Sequence, residues 1–202
     1  MDIIWSSDHH PVLFHDWWLI TQNLVTPPSE EPQTYDSLTL NQFKNLSLKS
    51  EWTQLSFYDL IEWMHENKTT YIITDVKERN LEFLEIIVHK YPQYLNRFIP
   101  QVYSFDEYEL VSKMGFNRII ITLYKMPYSA SEIFERITLM DTSKLFAVTS
   151  PPERLNSGLG ISLEKSGIYV YAHTINDYET RLKLADIGVN GFYTDVFDVP
   201  LP

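Results

Sequence analysis

From residue 71 onwards the chain repeats one pattern, a short β-branched run followed by an amphipathic helical segment, and that alternation leaves few folds open. The runs fall at 71–77 (YIITDVK), 98–104, 118–125 (RIIITLYK), 145–150, 169–174 and 191–196. Between them, residues 81–90, 105–114, 129–139 and 177–186 read as helices and 152–165 as a turn or short helix. Gly115 and Gly188 stand where two of these helices stop, and Pro151 and Pro152 break the run that precedes them. Links this short require parallel strands joined by right-handed crossovers. Residues 2–5 add a seventh strand, so the sequence predicts an α/β fold of the (β/α)8 TIM-barrel type that lacks its first strand and helix. All 202 residues are expected to form one such domain, with TPPSEEPQTY at 26–35 as a surface loop. A barrel short of one unit leaves two strand edges unpaired, and an oligomer that covers them is expected.

The front of the chain is less regular. Residues 2–5 and 11–15 are apolar runs on either side of SSDHHP, which is turn chemistry. Residues 39–46 and 56–65 read as helices, the second opened by Ser56 with Asp59 in its first turn. Trp17 and Trp18 follow directly on His15 and Asp16 and are read as packing residues or as a stacking surface for an organic group.

The net charge of −11 argues against a phosphate-backbone partner, so no nucleic-acid role is expected. No apolar run reaches the length of about 18 residues that a transmembrane helix needs. With no cysteine, disulfides and thiolate metal sites are excluded and the redox compartment is left open. The location is cytoplasmic by default, or secreted if an upstream segment is missing.

Chemistry-bearing residues gather at the C-terminal ends of the runs, the edges that a barrel collects into one mouth. Asp75 and Lys77 are two apart and leave the same face of their strand. A carboxylate beside an ammonium suits a hard cation together with an anionic substrate, phosphate first among them; the competing reading is a strand-end salt bridge. Asp2, His15, Gln101, Tyr103, Tyr124 and His173 also lie at run ends or close to them. His9 and His10 fall in the turn and read as exposed.

Four segments resemble the glycerophosphodiester phosphodiesterase family, which shares its barrel type with phosphatidylinositol-specific phospholipase C. They are DIIWSSDHHPVLFHD at 2–16, TLNQFKNL with LSFYDLIEWM across 39–64, IITDVK at 72–77, and YAHTIND with GVNGFYTD at 171–177 and 188–195. The resemblance covers the chain from end to end, with the motifs in the family's order. It implies a metal-dependent phosphodiesterase that hydrolyses a small glycerophosphodiester to an alcohol and glycerol phosphate, a hydrolase of lipid metabolism. By resemblance, Asp2 and Asp75 would hold a divalent cation, Mg²⁺ or Ca²⁺, and Lys77 would offset phosphoryl charge. His15 would serve as general acid or base, and Gln101, Tyr103, Tyr124 and His173 would line the substrate.

The chain departs from the family at its front. The family's opening strand ending in His-Arg-Gly, and the glutamate two residues before the position of Asp2, have no counterpart here. Asp75 also stands where many members carry glutamate. Two classes are therefore open: a hydrolase, or a catalytically incomplete relative or truncated product acting as a binding or interaction module.

Overall fold

The computed structural model describes residues 1–23, 37–49 and 53–196. The proline-rich stretch at 26–35 lies outside them. The chain packs as two compact units, Met1–Phe98 and Ile99–Pro202.

In the first unit, β1 (Asp2–Trp5) is the middle of three strands. On one side it forms an antiparallel hairpin with β2 (Pro11–Val12), and on the other it runs parallel to β3 (Ile72–Val76). The hairpin loop is closed by hydrogen bonds from Ser6 N–H to His10 O and from His9 N–H to Ser6 O, with His9 left-handed at φ 64°. The strand expected over 11–15 is thus cut to Pro11–Val12. From Asp16 the chain turns into helix α1 (Trp17–Asn23), which the sequence reading had not assigned.

Helix α2 (Leu40–Lys44) begins with a reciprocal cap between Thr39 and Gln42, and α3 (Phe57–Glu66) with one between Ser56 and Asp59. Lys44 reaches across to Asp59 at 2.6 Å, tying the two helices together. Val12, Ile20, Leu38, Phe43 and Leu48 form one apolar cluster; Phe57, Phe83, Tyr91 and Phe98 form a ring cluster under α3 and α4 (Asn80–Lys90). Arg97, on the 3₁₀ turn Pro92–Arg97, donates to the carbonyls of Met64, Asn67 and Thr70. It thereby satisfies acceptors at the open end of α3 and just before β3.

The second unit follows the expected alternation closely. Strands β4 (Phe98–Val102, its first residue in the first unit), β5 (Ile119–Thr122), β6 (Leu145–Ser150), β7 (Tyr169–Ala172) and β8 (Gly191–Phe192) pair in sequence order, all parallel. Between them lie α5 (Phe105–Lys113), α6 (Ala130–Leu139), the kinked segment α7 (Pro152–Arg154) to α8 (Gly160–Lys165), and α9 (Tyr178–Ala185). Gly115 and Gly188 adopt φ of 102° and 92° just past α5 and α9, the left-handed region that a β-carbon disfavours.

Register sorts the side chains into two layers. Paired residues share a face, so Gln101, Ile120 and Ala147 align with one another, as do Thr122, Thr149, Tyr171 and Gly191. In a flat sheet four strand spacings of about 4.8 Å would hold β4 and β8 about 19 Å apart. Yet the Tyr193 hydroxyl donates to Gln101 Oε1 at 3.4 Å. This sheet therefore curls, with the Gln101 face on its inside.

Candidate active site

The first unit brings four sequence-predicted residues together. Asp2 and Asp75 are direct register partners on the parallel strands β1 and β3, so their side chains leave one face. Asp75 N–H donates to Met1 O at 2.8 Å, and Ile3 and Val76, the next pair along, are buried on the opposite face. Alternation thus puts Lys77, one residue past β3, on the face of the two carboxylates. Its ammonium lies 4.0 Å from Asp2 Oδ1 and 2.8 Å from His15 Nε2.

His15 is reached from the other side of β1. The hairpin carries the chain back along Trp5, and a bend then drops His15 and Asp16 in front of α1. Two indoles secure this bend: Trp17 Nε1 donates to Trp5 O at 3.2 Å, and Trp5 Nε1 donates to Glu78 O at 3.0 Å. The resulting cleft has a volume of about 170 Å³ and is lined by Trp5, His15, Asp16, Trp17 and Lys77, with Ile3, Ile4 and Glu78. Two isoleucines and two indoles share its lining with His15 and the charged Asp16, Lys77 and Glu78. Trp5 also receives the Arg79 guanidinium 4.0 Å above its ring, and Arg79 is held by Glu82.

Protonation follows from the contacts. An ammonium can only donate, so Nε2 of His15 accepts from Lys77 and the imidazole is neutral. Nδ1 then carries the proton and donates to Asp16 Oδ2 at 2.5 Å. Partial burial pushes the Asp16 carboxyl up. The hydrogen bonds from His15 and from Leu19 N–H, with the nearby charge of Lys77, outweigh it and hold the group below its ordinary value. The site therefore offers a lone pair and a cation side by side, the pairing needed to move a proton next to an anion.

Among the described residues, no three of His, Asp or Glu stand together as a ready-made metal cage. Two carboxylates on adjacent strands nonetheless fit the way Mg²⁺ is bound, through one or two carboxylates with water and substrate phosphate completing the shell. The many-oxygen shell that Ca²⁺ prefers is less well met by this set.

The second unit gathers the other expected residues differently. Gln101 is buried on β4, and Tyr193 bridges to it and packs against His173, with ring centroids 6.4 Å apart. His173 in turn meets Tyr124 edge-on at 5.9 Å. Gln101, His173 and Tyr124 thus belong to one row joined by Tyr193, a residue that sequence reasoning had passed over. Tyr103 stands two residues beyond Gln101, its N–H donating to Glu107 Oε2 at 2.7 Å. Asp16 and Trp5 are the residues to which sequence reasoning gave no role in the first unit, while Trp17, read as a packing or stacking residue, lines the cleft. The signal for Asp16 was an acid placed directly before an aromatic run, the position of a helix N-cap.

These features define an α/β fold with a small cleft, lined by indoles and charged side chains, beside the ends of parallel strands. The comparisons identify its kin. A glycerophosphodiester phosphodiesterase from Parabacteroides distasonis superposes with a TM-score of 0.68 at 16% identity, over 96% of this chain and 77% of that one. An Oleispira antarctica phosphodiesterase, solved in complex with the product sn-glycerol-3-phosphate, gives 0.63 at 18% identity, over 96% and 78%. The fold is thus the mixed α/β barrel type of these structures. No curated protein matches the chain in sequence. The sequence profile of the Glycerophosphoryl diester phosphodiesterase family matches residues 1–199, and the chain belongs to that family.

Proposed function

We propose that the chain hydrolyses a small glycerophosphodiester to glycerol phosphate and an alcohol, with the chemistry carried by Asp2, His15, Asp75 and Lys77. The observation that supports this reading best is the contact of Lys77 with both His15 Nε2 and the Asp2 carboxylate. A cation at that point balances the charge of a phosphodiester whose reacting oxygen lies beside the imidazole.

His15 is the general acid or base. One imidazole serves one side of the displacement: the unprotonated Nε2, which Lys77 meets in the resting site, takes a proton from the attacking oxygen as the new P–O bond forms, or the imidazolium gives one to the departing alkoxide as the old P–O bond breaks, the other transfer being with water. Lys77 offsets charge on the phosphoryl oxygens through both stages. Asp2 and Asp75 would hold a divalent cation of the Mg²⁺ type, which when bound polarises a phosphate oxygen. Gln101, Tyr103, Tyr124 and His173, which the family resemblance implies as substrate-lining residues, are proposed as such on the second unit taken by itself. The competing reading, a phosphate-binding module without turnover, keeps the same residues as a recognition site.

One assay separates the two. Purified protein is incubated with a glycerophosphodiester and Mg²⁺, and release of glycerol phosphate is followed with and without a chelator. Release that the chelator stops is expected. Absence of release at saturating metal would overturn the hydrolase reading in favour of the binding module.

A further inference from the structure

We infer that Asp16 is the positioning residue of this site, a single carboxylate that locks His15 in the Nδ1–H tautomer and fixes that lock to the start of helix α1. The inference rests on the reading of His15 as the proton carrier and goes one residue beyond it.

The two oxygens of Asp16 do different things. Oδ1 accepts from Leu19 N–H at 2.8 Å, the bond of an N-cap three residues ahead. Oδ2 accepts from His15 Nδ1 at 2.5 Å. A carboxylate anchored by one oxygen to backbone cannot swing away, so the other oxygen presents a fixed acceptor to the imidazole. The ring is then gripped from both ends, by Asp16 at Nδ1 and by Lys77 at Nε2. The helix itself is held by the Trp17 indole on Trp5 O, so the carboxylate sits on a secured element.

The consequence is a choice of tautomer. A free imidazole places its proton on either nitrogen, and one form would turn an N–H towards Lys77, donor against donor. Acceptance by Asp16 Oδ2 removes that form. It leaves Nε2 as the only ring nitrogen with a lone pair, on the side where Lys77 stands. When Nε2 takes a proton, the same carboxylate faces the new imidazolium and stabilises it without moving. Asp16 touches neither substrate nor reacting atoms in this scheme; it acts through His15.

A helix cap alone would also explain an aspartate here, and the experiment separates the two roles. Side-chain ¹⁵N NMR of His15 is recorded for the wild type and for Asp16→Asn with the imidazole neutral. Asparagine remains a good N-cap, so α1 is preserved while the charged acceptor is lost. Asp177→Asn serves as a control that alters only a cap, since Asp177 holds Thr180 N–H at the start of α9. The wild type and Asp177→Asn are expected to show Nδ1 protonated and Nε2 unprotonated, and Asp16→Asn a mixture of tautomers. In the hydrolase assay Asp16→Asn is expected to lose about 10- to 100-fold in kcat with KM little changed.

A wild-type spectrum with the proton on Nε2, or an unchanged tautomer in Asp16→Asn, overturns the inference. The NMR result does not depend on turnover. An inactive wild type with the expected tautomers would sink the hydrolase reading and support the positioning role of Asp16.

Discussion

The two units solve the problem of presenting polar groups in opposite ways. In the first, charged side chains stand at a partly open rim: the side chains of His15, Asp16, Lys77 and Asp2 are 51%, 40%, 47% and 40% exposed. In the second, the inward residues are buried or half-buried and neutral, with Gln101 and Thr149 out of solvent and Tyr171, His173 and Tyr193 packed ring to ring. Burial pushes the Tyr171 hydroxyl up, away from ionisation. Charge kept near water retains its hydration until a ligand replaces it, whereas neutral rings are cheap to bury. The lesson is a difference in material: the first unit presents exposed charge, the second buried and half-buried neutral rings.

That contrast can be broken most severely with two histidines. His15→Ala is expected to lower kcat by about 10²- to 10⁴-fold, the range of a general acid–base group. His173→Ala, equally a lost imidazole, should act mainly on KM, because it removes wall rather than chemistry. Steady-state kinetics on both variants decides it, and an equal fall in kcat would erase the distinction drawn here.

A smaller effect sharpens the role of charge in the first unit. Asp59 accepts from Lys44 and caps α3. Partial burial pushes its carboxyl up, but the hydrogen bonds from Lys44 and Ser56 and the lysine's charge hold it below the ordinary value. A carboxyl lowered in the folded state contributes stability above its unfolded pKa and loses it as pH falls through the folded value. Asp59→Ala should therefore cost about 1 kcal/mol at neutral pH, a cap's worth, and less in acid. Urea denaturation of both proteins across the acid range measures the convergence of the two curves.

The smallest change tests the second unit. Tyr193→Phe removes the long 3.4 Å bond to Gln101 while keeping the ring against Tyr171 and His173. Destabilisation of about 1 kcal/mol or less is expected by thermal melting. A much larger loss would mean that polar bonding, not ring packing, holds this face.

Much of this was legible in the residues, for identifiable reasons. β-branched runs separated by amphipathic ones placed β3 to β8 because parallel strands are apolar on both faces and so stand out from their flanks. Ser56 and Asp59 marked the start of α3 because a reciprocal cap needs those residue types at that spacing. The alternation of side chains along a strand put Asp75 and Lys77 on one face, and the register pairs Asp2 with that face and brings Lys77 to His15. The stretch at 11–15 misled because its apolar residues serve a two-residue hairpin strand and then a bend, and local pattern cannot show where pairing stops. Helix α1 was hidden by WWLIT, whose aromatic and β-branched residues carry little helical preference; a cap and an indole bond fix its start instead. Tyr193 could not be joined to Gln101 by reading, since 92 residues separate them and only the curl of the sheet brings them together.

The most direct test of the central claim is a crystal structure of the protein soaked with sn-glycerol-3-phosphate and Mg²⁺. The account expects the phosphate beside Lys77 and His15 in the cleft walled by Trp5 and Trp17, with the cation on Asp2 and Asp75. A phosphate bound elsewhere on the molecule, with this cleft holding only water, would contradict it.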